Sequence, residues 1–157
     1  MKTFQKLSFL LSILCIVSFS SCHQDLDKDP VKSDAEIIGS GIAWKLSTAK
    51  VGIFNVISEI DDCLQDNVVT FNYSPSVKLG VLDSGPTKCS STESQTVNFI
   101  WDYNESTKIL LVDTDIIEVP GAEGNMIVES VSNNELVISQ NVSVSGITQK
   151  LVVTFVH

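Results

Sequence analysis

From Gly41 onward the apolar residues recur at every second position, and that period admits half-buried strands and little else. Ile42, Trp44 and Leu46 alternate with Ala43, Lys45 and Ser47; Val69, Phe71 and Tyr73 alternate with Thr70 and Asn72. Val77, Leu79 and Val81 alternate with Lys78 and Gly80, and Val97, Phe99, Trp101 and Tyr103 with Asn98, Ile100 and Asp102. Runs at 108–113, 125–131, 135–144 and 147–156 bring the count to eight strands, the last placing Leu151, Val153 and Phe155 on one face. Short turn-rich gaps such as Asn72-Tyr73-Ser74-Pro75, Asn104-Glu105-Ser106 and Ser145-Gly146 separate them, which predicts antiparallel hairpins between neighbours. Only 51–65 departs from the pattern: Ile53, Val56, Ile57 and Ile60 have helical spacing and predict one short helix or helical turn between the first and second strands.

Eight short antiparallel strands close into an up-and-down barrel or stack as a β-sandwich. An immunoglobulin-type sandwich brackets a tryptophan between its two cysteines, whereas here Trp44 precedes Cys63 and Trp101 follows Cys89. The all-β barrel is therefore the expected fold. Trp44, Phe71, Phe99, Trp101, Leu136, Ile138, Leu151, Val153 and Phe155 are its inward candidates. A barrel of this size is either packed solid or holds one small molecule, so the same residues line a ligand cavity or fill a core.

Ahead of the strands, Lys2 and Lys6 precede an apolar run from Leu7 to Phe19, too short to span a bilayer, which needs about 20 apolar residues. The run ends in Phe19-Ser20-Ser21-Cys22, which resembles the lipobox of bacterial lipoproteins, with Phe19 where leucine is usual. The resemblance implies removal of residues 1–21, acylation of Cys22, and an anchor in the bacterial outer membrane, on its periplasmic face or at the cell surface. Residues 22–40, with Asp25, Asp27, Asp29, Asp34, Glu36 and Pro30, read as a solvated tether to a domain at 41–157. An acidic stretch in this position also resembles the surface-export signals of some such lipoproteins.

Loss of the leader removes Cys15, and acylation occupies Cys22, so Cys63 and Cys89 remain as an even pair in an oxidising compartment and are expected to form a disulfide. A zinc site would need further ligands, and the two histidines, His23 and His157, lie in the tether and at the last position.

Trp44-Lys45-Leu46 on the opening strand, Asp62-Cys63-Leu64-Gln65-Asp66-Asn67 leading into Val68-Val69-Thr70-Phe71, and Lys88-Cys89 carry a second resemblance. With Phe99-Ile100-Trp101, Ile109-Leu110-Leu111, Ile127, Leu136-Val137-Ile138 and Leu151-Val152-Val153-Thr154-Phe155 following in order, residues 41–157 resemble the lipocalin-like domains of small Gram-negative bacterial lipoproteins. Lipocalins open on Gly-x-Trp and stack a cation on that tryptophan. Here Gly41 stands three before Trp44 and the chain has no arginine, which leaves Lys150 as a poor substitute.

The chain carries 19 acidic residues against 10 lysines, a net charge of −9, and −11 once the leader is gone. Isolated lysines in an acidic chain make no basic stripe, which excludes nucleic acid as a partner. A hydrolytic triad lacks a central histidine, so no catalytic residue, metal or cofactor is expected. Asp61, Asp62 and Asp66, and Asp113, Asp115 and Glu118, match no calcium-loop spacing and read as loop or helix-end acids. Two non-enzymatic functions fit: a lipid-anchored barrel holding a small apolar molecule, or an interaction module with a filled barrel that docks a membrane protein or glycan. Lys45, Lys78, Lys108 and Lys150 alternate with the inward faces and are expected in solvent, so a ligand would be neutral or cationic rather than a free fatty acid.

Overall fold

A computed structural model describes residues 31–114, 116, 125–144 and 146–157. The leader, Cys22 and most of the tether lie outside these residues, as do Asp115 and Glu118. Helix α1 (Asp34–Ile38) precedes β1 (Ser40–Val51), β2 (Phe54–Asn55), a 3-10 turn (Ile57–Glu59) and α2 (Asp62–Gln65). Then follow β3 (Val68–Asn72), β4 (Leu79–Asp83), β5 (Thr96–Asn104), β6 (Ile109–Val112), β7 (Met126–Val131), β8 (Glu135–Val144) and β9 (Ile147–Val156). Every pairing is antiparallel between sequence neighbours from β3 to β9, and β1 joins β3 on one side and β9 on the other. Eight strands therefore close an up-and-down barrel, and the sandwich is not formed; β2 is a two-residue appendage on the end of β1.

Strand direction assigns two ends to this barrel. The β3–β4, β5–β6 and β7–β8 connections share one end with α1, while α2 and the β4–β5 connection share the other with the β8–β9 turn. Cys63 and Cys89 are bridged at the second end, with Cα atoms 5.2 Å apart, which ties the β4–β5 connection to α2.

The folded domain begins ahead of residue 41. Ser33 and Glu36 cap each other reciprocally at the start of α1, a Ser-x-x-Glu box that starts a helix just before the apolar pair Ile37-Ile38. Ile38 and Ala35 are buried, so the last residues of the expected tether plug one end of the barrel. Within 51–65 the anticipated short helix or helical turn is present as the 3-10 turn and the four-residue α2, after a hairpin turning at Gly52 (φ +61). The Asn55 side chain accepts from the Ile57 amide at 3.0 Å where the hairpin passes into the 3-10 turn. Val56, Ile57 and Ile60 still pack on the core, while Ile53 and Phe54 stay exposed at the hairpin tip.

One strand has the opposite phase to the sequence reading. In β4 the inward residues are Gly80 and Leu82, and Leu79 is exposed. Register puts Gly80 between Phe71 of β3 and Phe99 of β5. The Phe99 ring occupies the space a Cβ at 80 would need, its Cζ 2.1 Å from that position, so the glycine faces the core by making room for a neighbour.

Candidate functional site

The nine residues proposed for a cavity or a core all face the barrel interior and keep almost no accessible surface: Trp44 0%, Phe71 1%, Phe99 2%, Trp101 2% and Phe155 4%, with Leu136, Ile138, Leu151 and Val153 at 1% each. Surfaces this small mean that these nine side chains are packed on nearly every side by neighbouring atoms. Phe71 meets Phe99 and Trp101 edge to face at centroid distances of 5.5 and 5.3 Å, the geometry in which positive ring edges meet negative faces. The indole of Trp101 donates to the Leu79 carbonyl at 3.1 Å, and that of Trp44 donates to Ile38 O at 3.1 Å.

The partner stacked on Trp44 is His157 rather than Lys150. The two rings lie 3.6 Å apart at 30°, and His157 Nδ1 donates to the Ala43 carbonyl at 3.0 Å. Parity explains the replacement: 157 continues the row of the inward residues 151, 153 and 155 just past the end of β9, whereas Lys150 points outward to Glu129 at 2.6 Å. Lys150 and the Ser139 hydroxyl together hold the Glu129 carboxyl below its ordinary range.

Sequence reasoning missed the ring of polar contacts that closes the α1 end. Asp34 accepts from Tyr103 Oη at 3.1 Å and from Lys108 Nζ at 2.8 Å, and the Ala35 amide donates to Glu105 at 3.1 Å. Burial, then the Asp34 carboxylate, push the Tyr103 phenol above its ordinary value, and the same carboxylate raises Lys108. Lys78 is the exception among the four lysines expected in solvent. The phase of β4 turns it to the rim beside the Trp101 and Tyr73 rings, 5.9 and 6.0 Å away, where it pairs with Asp102 and lowers that carboxyl.

At the disulfide end, a solvent-open hollow of about 530 Å³ is lined by residues that include Lys45, Leu46, Asp66, Val68, Asp83 and Gln95. Asp66 accepts from the Thr87 amide at 3.0 Å through Oδ2, while its buried Oδ1 has no hydrogen-bond partner among the described residues. Asp83 accepts from Gly85 N and Gln95 Nε2 at 2.9 and 2.7 Å. Glu93 braces the disulfide loop, accepting from Ser84, Cys89 and Ser90; these donors, Ser84 foremost, hold it below the ordinary carboxylate range. Asp61 and Asp62 instead start α2, with Asp61 at its N-cap and Asp62 in the first turn. Asp113 accepts the Ile100 amide through one carboxylate oxygen, joining β6 to β5.

A third feature lies on the outside. Leu79, Ile100, Leu111 and Ile127, on β4, β5, β6 and β7, are 51%, 57%, 40% and 47% exposed. Leu79 and Ile100 are direct cross-strand partners, Leu111 stands opposite Asp102 and so diagonally from Ile100, and Ile127 pairs with Ile109, two residues from Leu111, so the outward side chains step diagonally across four strands.

No protein-family model matches the chain, and no curated protein is similar to it at a significant level.

Proposed function

We propose that this chain is a non-enzymatic bacterial lipoprotein, anchored to the outer membrane through acylated Cys22, whose lipocalin-like barrel serves as an interaction module. The observation that supports the reading is how little surface the inward aromatic and aliphatic side chains keep, since close packing inside leaves recognition to the outside of a barrel. The anchor rests on the lipobox-like Phe19-Ser20-Ser21-Cys22, and on multiple acyl chains holding where one would be marginal. Native mass spectrometry of protein purified from its own host tests the module: a partner protein on the acylated chain is the expected result, and a stoichiometric small molecule without a partner overturns it. Cys22→Ser tests the anchor separately, through loss of labelled palmitate and of the membrane-bound fraction.

The hollow at the disulfide end favours a second reading, in which a small cationic molecule sits against Asp66 and Asp83 over Leu46 and Val68. It would appear in the same spectra as a retained mass that Asp66→Asn and Asp83→Asn remove.

A further inference from the structure

We propose that the outer stripe over β4 to β7 is the docking face of this module, and that its occupant is a protein surface with an apolar centre and a lysine- or arginine-bearing rim. The inference rests on the interaction-module reading and deepens it. Scattered single apolar residues on a surface need no explanation, whereas contiguous ones mark recognition sites. Leu79 and Ile100 are register partners, Leu111 lies diagonally from Ile100, and Ile127 faces Ile109, two residues from Leu111, within the diagonal reach of long side chains; their strands already have the inward residues Leu82, Phe99, Trp101, Leu110 and Met126 to hold them in the barrel. Their apolarity adds nothing to the interior.

Charge selects the occupant. Asp102 lies two residues from Ile100 on the same face and directly opposite Leu111, and Asp113 meets Ile100 from β6, so carboxylates interleave with the apolar side chains. Asp83 continues the outward row of β4 beyond Val81. Among the described residues, Lys78 matches Asp102 in an ion pair, while Asp83 and Asp113 accept only from neutral amides and match no cation. The whole chain carries −9 as well. A second copy laid on this face by a two-fold axis would bring Asp102 and Asp113 against their own equivalents, and anionic lipid headgroups would be repelled in the same way. A cationic rim around an apolar centre complements every element of the stripe.

A photo-crosslinking residue placed singly at Ile100, Leu111, Phe54 and Thr148 of the full-length chain in its host tests this. Thr148 samples the outer face of β9, and Phe54 the exposed apolar hairpin tip. The expected result is one protein adduct shared by positions 100 and 111, absent at 148, with lysine or arginine in the crosslinked peptide. Ile100→Asp should remove the adduct formed at 111, and Asp113→Asn, which keeps an acceptor for the Ile100 amide, should weaken it by roughly tenfold if the charge contributes as a central contact does. A self-adduct, a lipid adduct, or no adduct above that at 148 overturns the docking face. An adduct at Phe54 alone overturns the stripe and leaves the interaction module standing; no adduct at any position removes both.

Discussion

The wall formed by β8 and β9 and the wall formed by β4 to β7 enclose the same core with different means. Ten consecutive register pairs join β8 to β9, from Glu135 with Val156 to Val144 with Ile147, whereas two pairs, Ile109 with Ile127 and Leu110 with Met126, join β6 to β7. Outside the long ladder the exposed Asn141, Ser143, Thr148 and Lys150 stand with the half-buried Val137, Val152 and Val156; outside the short one stand Leu79, Ile100, Leu111 and Ile127, each 40% exposed or more. Inward, both walls are equally sealed. The difference teaches that a strand needs only its inward row to pack, which leaves its outward row free to vary, and the proposed docking face lies on the side where that row is apolar.

Adjacent residues of β5 give the sharpest way to break that comparison. Phe99→Ala should cost about 3–5 kcal/mol, because it opens a cavity between Phe71 and Gly80, whereas Ile100→Ser should stay within about 0.5 kcal/mol. Urea midpoints of the two variants decide it, and equal losses would mean that the outer stripe also holds the fold.

Reduction of the Cys63–Cys89 bridge, or the double serine variant, should cost roughly 3.5 kcal/mol by loop closure over its 26-residue separation. Hydrogen exchange should then quicken first in β4 and β5, whose connection the bridge ties down, while β8 and β9 amides stay protected. Uniform quickening would erase the distinction between the walls.

How far the sequence foretold these walls depends on what each position contributes. Strands 135–144 and 147–156 were legible to the residue, because long alternating runs have one phase. The phase of β4 was not, because Val77, Leu79 and Val81 outrank Gly80 and Leu82 in apolarity, and a glycine whose role is to leave room for Phe99 gives no hydrophobic signal. The inward aromatics were all legible as inward, but filling is a matter of volumes, which alternation does not report. Helix α1 was readable from Ser33-x-x-Glu36 ahead of Ile37-Ile38, a signal masked by the surrounding acidic, tether-like composition. The Trp44–His157 stack joins residues 113 positions apart, which parity alone could not pair before the closure of β9 on β1 was known.

A smaller effect probes the attachment of α1 to β5. The raised Tyr103 value means that the folded state favours the protonated phenol, so its contribution is fully present below the ordinary tyrosine range and is lost as pH rises through the folded value. Ultraviolet titration should show a tyrosine ionising above the ordinary tyrosine range, and Tyr103→Phe should abolish that step. If no ionisation is delayed, Asp34 does not hold the phenol.

The central claim, that the barrel is filled and recognition lies outside, meets its most direct test in titration with an apolar alcohol and a fatty-acid methyl ester, read by the fluorescence of Trp44 and Trp101. Both indoles are buried among the inward side chains, so any molecule entering the interior must alter them. The account predicts no saturable change with either probe; a saturable change at micromolar concentrations, abolished by filling substitutions along the inward rows, would contradict it.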